Sequence, residues 1–128
     1  MFHELDVVVV RSLQSANRRV DGIDGVKRQP RVGDQGTVVH VLGPRDYIVE
    51  SVDDAGLTRW LADFVEDELA SAPRGWQFTI EEVAPCVWRA TALGPGGMRA
   101  EATGADATLA MARCLELVVR RSKSTPAG

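Results

Sequence analysis

"LTRWLADFVEDELA", residues 57–70, can be read in two ways. Leu57, Trp60, Leu61, Phe64, Val65 and Leu69 recur at helical spacing, whereas Thr58, Trp60, Ala62 and Phe64 alternate as a strand would. Periodicity alone leans to helix. The choice decides the fold, because the chain just before it is β. In "RVGDQGTVVHVLGPRDYIVESVDDAG", residues 31–56, Gly33-Asp34-Gln35-Gly36 supplies a tight turn and Thr37 to Val41 a strand. Gly43-Pro44-Arg45-Asp46 turns the chain into a second strand from Tyr47 to Val52, which Asp53-Asp54-Ala55-Gly56 closes. A strand here would extend this meander, and a helix would end it.

Upstream, "ELDVVVVRSL" predicts a buried strand, since four consecutive β-branched valines disfavour helix. From Gln14 to Arg31 the chain turns polar and aperiodic, with Gly22 and Gly25, which predicts a long loop. Downstream, Ser71-Ala72-Pro73-Arg74-Gly75 reads as a linker at 71–75 between a unit at 1–70 and a second at 76–122. In the second unit Trp76, Phe78 and Ile80 line one strand face, with Gln77, Thr79 and Glu81 on the other. Ala84-Pro85-Cys86 leads into a strand from Val87 to Leu93, and "GPGG" at 94–97 makes a hairpin to Met98–Thr103. A helix is expected from about Asp106 to Arg121, capped by Asp106 or Thr108, with Leu109, Ala112, Leu115 and Val119 as its apolar side. Residues 123–128 read as a disordered tail.

The formal charge of -3 over 128 residues conceals an asymmetry. Residues 11–31 carry six bases against two acids, and residues 32–72 carry two bases against nine acids. A general nucleic-acid binder is usually basic as a whole, so any basic function here must be local. No apolar run approaches the roughly 18 residues of a membrane span. "MFHELDVVVV" has neither a basic segment before its apolar run nor a small-residue cleavage site after it, so a signal peptide is not expected. Cys86 and Cys114 then read as reduced thiols, and the expected compartment is the cytoplasm.

Little in the chain points to catalysis. His3 and His40 sit in predicted strands without companions, the cysteines form no CxxC pair, and Asp53-Asp54 reads as turn chemistry. "GPGG" lacks the lysine and following helix of a phosphate loop, and no nucleophile elbow is present. The expectation is a protein that is not an enzyme, with no catalytic residue, no metal and no cofactor. Two charged stretches remain as candidate binding residues. Arg18, Arg19, Lys27, Arg28 and Arg31 could contact an acidic partner surface or phosphates, although the loop holds no aromatic for base stacking. Glu66, Asp67 and Glu68 read as an exposed helical turn whose carboxylates could occupy a basic site on another protein.

On "FHELDVVVV", "VGDQGTVVHVL", "YIVESVDDAG" and "LTRWLADFVEDEL", residues 2 to 69 resemble an uncharacterised bacterial family of small SH3-like barrels, the domain of unknown function forty-nine twenty-six. The resemblance implies a strand at 57–63 in place of the helix, then a short helical turn ending in Asp67-Glu68-Leu69. Members are often encoded near toxin-like or nuclease-like proteins, which implies an antitoxin or immunity role. On "FTIEEV", "VWRATAL" and "EATGADATLAMARCLE", residues 76 to 121 are similar to the β-β-β-α unit of HicB-type antitoxins. A double-stranded RNA binding domain shares that order but needs lysines at the helix start, where this chain has Ala105-Asp106-Ala107-Thr108-Leu109. The expected fold is therefore α+β, a small SH3-like β-barrel followed by a β-β-β-α unit. The expected partner is a protein, a cognate toxin or nuclease, with a nucleic-acid-associated barrel or a structural accessory subunit as the alternatives. No membrane partner is expected, and a homodimer remains open.

Overall fold

A computed structural model describes residues 1–15 and 17–124. The protein is α+β, with two antiparallel sheets and one C-terminal helix, and it divides into two compact units, Met1–Ala72 and Pro73–Gly128. Among the described residues, no helix is long and apolar enough to cross a membrane.

The first unit is a six-stranded sheet in the order β2-β5-β4-β3-β1-β6. Its strands are β1 (Val7–Val10), β2 (Val20–Asp21), β3 (Gln35–Gly43), β4 (Asp46–Val52), β5 (Thr58–Val65) and β6 (Leu69–Ser71). The quoted stretch is thus a strand, then a 3-10 turn at Glu66–Glu68, then a short strand that returns beside β1. The helix favoured by periodicity does not form, and the strand followed by a short helical turn that the resemblance implied does, with the turn at Glu66–Glu68. The turn at Asp53–Gly56 delivers residue 58 directly beside Val52, and β5 then pairs along the whole of β4. Asp53 locks that turn by accepting hydrogen bonds from the amides of Ala55 and Leu57, both at 2.9 Å.

The pairing Tyr47–Phe64, Val49–Ala62 and Ser51–Trp60 puts these residues on one face, where all are buried. With Val8, Val10, Val38 and Leu69 they form the core of this unit. Burying a side chain of the size of Trp60 or Phe64 supplies about 2–3 kcal/mol, more than the small helix preference of a short apolar run. Gly36 lies where β3 crosses closest to β4, and a Cβ there would come within 2.7 Å of the Glu50 carbonyl and of a Val49 methyl. The segment predicted as a loop holds β2, which pairs Val20 with Ala62 and Asp21 with Leu61.

The second unit pairs β7 (Gln77–Ala84), β8 (Val87–Leu93) and β9 (Arg99–Gly104) in chain order, and α1 (Ala107–Ser124) packs on the sheet. Asp106 caps the helix, its carboxylate accepting from the Leu109 amide at 2.8 Å. The buried stripe is Ala110, Met111, Cys114, Leu115 and Val118, which corrects the expected apolar side, since Leu109 and Val119 are exposed and so is Ala112. The helix is apolar over a wide arc, and the close approach at Gly104 selects which part turns inward. A Cβ on Gly104 would lie 2.7 Å from the Ala110 nitrogen, so only glycine lets the first turn settle onto β9. The helix continues through Ser124. Of the tail expected at 123–128, residues 125–128 lie outside the described residues.

Candidate functional site

The site is built where the long loop of the first unit is fastened to the end of β5. Arg18 grips Glu68 with both ends of its fork, Nη2 to Oε2 at 2.5 Å and Nη1 to Oε1 at 3.2 Å. It also donates to the Asp63 carbonyl at 2.7 Å and lies 4.5 Å above the Phe64 ring centre. The Glu68 carboxylate further accepts from the amides of Gln14 at 2.9 Å and Val65 at 3.1 Å. Burial pushes the Glu68 carboxyl up, but the Arg18 bonds, the two amides and the Arg18 charge outweigh it, and it ends below the ordinary glutamate value.

A second clamp closes the loop at its other end. Arg28 holds Asp34 bidentately at 2.7 and 2.8 Å, while the Trp60 indole N–H donates to the same carboxylate at 3.0 Å and the Arg31 amide at 2.9 Å. Burial raises the Asp34 carboxyl, and these four donors lower it further than burial raises it.

Both predicted stretches are therefore divided by the tertiary structure. In the basic one, Arg18 and Arg28 turn inward to hold the loop, while Arg19, Lys27 and Arg31 remain exposed. In the acidic one, the expectation of three exposed carboxylates is corrected at Glu68, whose side chain is 3% exposed. Glu66 accepts from the N-terminal amine at 2.8 Å and the Tyr47 hydroxyl at 3.0 Å, interactions that in that order hold its carboxyl below the ordinary value. Asp67 pairs with Arg45 at 2.5 Å and is exposed. The physical reason is the 3-10 turn. Its three residues point in different directions, so consecutive acids cannot present one face.

A hollow of about 240 Å³ opens beside the first clamp, lined by Leu42, Asp46, Asp63, Phe64, Val65 and Glu68. Glu68 is already neutralised by Arg18. Asp46 and Asp63 are exposed and have no cationic partner among the described residues. The arrangement can take a positively charged group on an aliphatic stem, with the stem against Leu42 and Val65 and the charge near two carboxylates. Sequence reasoning missed these residues. Asp46 was absorbed into a turn, and the one available signal was Asp63, a carboxylate interrupting an otherwise apolar strand.

The remaining candidates stand apart. His3 and His40 are exposed, 3.7 Å from Asp6 and 3.8 Å from Glu4 respectively. Cys86 is exposed, and Cys114 is buried in the second unit, where burial first and the Glu101 charge second push its thiol up to about 11. Among the described residues, no group of three or more His, Cys, Asp or Glu side chains could hold a metal ion. No family model matches the chain, and neither a curated protein nor a solved structure matches it.

Proposed function

We propose that this chain is a non-catalytic, cytoplasmic protein-binding module, an antitoxin or immunity-type inhibitor that engages a basic surface of a bacterial toxin or nuclease through its first unit. The observation that carries this reading is the pair of carboxylates without a cationic partner among the described residues, Asp46 and Asp63, at a partly apolar hollow in a unit with a surplus of acids. A lysine or arginine of the partner would find there both a place for its methylenes and a counter-charge. The long basic loop supports nucleic acid less well, because Arg18 and Arg28 are committed to internal carboxylates.

The reading includes a small SH3-like barrel for the first unit. What supports it is the strand order, with β1 between β3 and β6, a long loop after β1, and a 3-10 turn ahead of the last strand. The second unit is read as a HicB-type β-β-β-α unit on its element order alone.

The test is co-expression with the protein encoded by the neighbouring gene, scored by relief of growth arrest and by binding kinetics. Asp46→Lys with Asp63→Lys should lower the association rate about tenfold or more at low salt, with the difference shrinking as salt rises. Growth relief would be lost. Unchanged kinetics and full relief by a folded double variant would overturn the reading.

A further inference from the structure

We propose that the chain forms a symmetric dimer by pairing the outer edge of β7 with the same edge of a second copy, about a two-fold axis at Thr79. The proposal does not depend on the inhibitor reading. It begins with the sheet edges. In the first unit the edge strands are β2, two residues long, and β6, three residues long, and edges that short offer little to pair with. In the second unit β9 is an edge of six residues, and Arg113 reaches over it to donate to the Thr103 carbonyl at 2.8 Å. The other edge, β7, is eight residues long, contains neither proline nor lysine, and has no strand beside its outer side among the described residues.

The backbone pattern identifies the groups that this edge presents. The Gly94 amide donates to the Met98 carbonyl at 2.9 Å, which makes that pair a hydrogen-bonded one in the β8–β9 ladder. Counting in twos, Ala92, Ala90 and Trp88 also bond towards β9. Arg89, Thr91 and Leu93 then bond towards β7, where their partners are Glu81, Thr79 and Gln77. The N–H and C=O of Phe78 and Ile80 consequently point outward, away from the sheet. Unpaired strand edges of this kind are templates for another strand.

The occupant and its register follow from the side chains. With the axis at Thr79, Phe78 and Ile80 exchange backbone bonds with Ile80 of the partner subunit and Phe78 of the partner subunit, apolar against apolar on the helix-covered side. On the open face Thr79 meets its own copy, and Gln77 meets Glu81 of the partner subunit as a hydrogen-bonding pair. Moving the axis to Ile80 would set Phe78 against the partner's Glu82 and bring the two copies of Glu81 into diagonal contact. An axis at Glu81 would oppose those carboxylates directly. Arg89 already pairs with Glu81 at 2.5 Å within each copy, so Glu82 is the acid that disfavours the later registers, where it would meet the partner subunit's Phe78 or the partner subunit's Ile80. An axis at Phe78 would overlap only Gln77–Thr79 of the two strands, which leaves the axis at Thr79. A strand added to this edge would be antiparallel and identical, so the contact closes on itself and does not propagate.

The experiment is analytical ultracentrifugation of the full chain from about 1 µM to about 1 mM, the range over which a weak contact of this size saturates. A monomer–dimer equilibrium is expected. Thr79→Lys places two ammonium groups against each other on the axis, outside the core, and should weaken dimerisation at least tenfold. Gln77→Lys, facing a carboxylate, should tighten it, and Gln77→Glu should weaken it. Circular dichroism confirms the fold of each variant. Hydrogen exchange supplies the second readout, with the Phe78 and Ile80 amides slowing as concentration rises while those of Thr79 and Glu81 stay protected throughout. A chain that remains monomeric at the highest concentration overturns the proposal. So does a Thr79→Lys variant that dimerises as before, or Gln77 variants that fall in the reverse order.

Discussion

The two units solve the same problem with opposite materials. The first has a long connection between β1 and β3 to hold, and it does so with charges drawn inside, Arg18 on Glu68 and Arg28 on Asp34, with a buried serine whose hydroxyl donates to the Gln35 carbonyl at 2.6 Å. The second, over its described residues, has only short turns between its elements. It brings a helix onto a sheet through Ala90, Ala92, Ala100 and Gly104, with Met111, Cys114 and Val118 above them. A buried ion pair adds little net stability, because desolvating both partners offsets most of their attraction, yet it is costly to break from one side. Charged clamps therefore specify where a loop lies, whereas small apolar residues let a helix come close.

The sharpest way to break this contrast is at Glu68. Glu68→Ala strands the Arg18 guanidinium against Phe64 and orphans the Gln14 and Val65 amides, and it should cost the first unit about 3–5 kcal/mol. Residue-resolved hydrogen exchange in the full chain would report that loss in β1 to β6, and equal losses in the second unit would dissolve the contrast.

Acid should separate the units more gently. The folded chain holds the Glu68 and Asp34 carboxyls below their ordinary values, so their stabilisation is complete above the unfolded values near pH 4 and is lost as pH falls through the depressed folded ones. In the second unit the lowered carboxyl is Glu101, held first by its bond from Arg99, and it is exposed and screened by solvent. A pH titration by NMR should show the loop and β1–β6 loosening first. Simultaneous loss of both units would contradict this.

The smallest effect leaves stability untouched. Cys86 should react at once with an aromatic disulfide reagent at neutral pH, and Cys114 only as the second unit opens, since its thiol is buried and pushed up to about 11. Two equally fast thiols would show that the apolar core is not closed.

Much of the fold was legible wherever the signal was local. The hairpin turns at Gly43–Asp46, Asp53–Gly56 and Gly94–Gly97, the valine strand and the Asp106 cap are set by residues within a few positions of one another, and sequence reasoning found each of them. The turn expected at Gly33–Gly36, by contrast, forms two residues earlier, closed by the Asp34 amide on the Arg31 carbonyl at 3.0 Å, with Gln35 and Gly36 already in β3. The candidate site was less legible. Arg19, Lys27 and Arg31 remain exposed, but nothing near Arg18 or Arg28 in the chain marks them as clamps. Asp46 and Asp63 meet at one hollow only because β4 and β5 are paired.

By itself the sequence determined the α+β class, the antiparallel β character of 31–56 and the helix near the C-terminus, since turn chemistry, β-branching and capping act over a few bonds. The tertiary structure decided what periodicity left open, that Thr58–Val65 is a strand, because an apolar run of that length satisfies both periods and the pairing partner chooses between them. It also decided which side of a broadly apolar helix turns inward. And it decided that Glu68 is a buried partner of a guanidinium 50 residues away, because the cost of burying a charge depends on what meets it there.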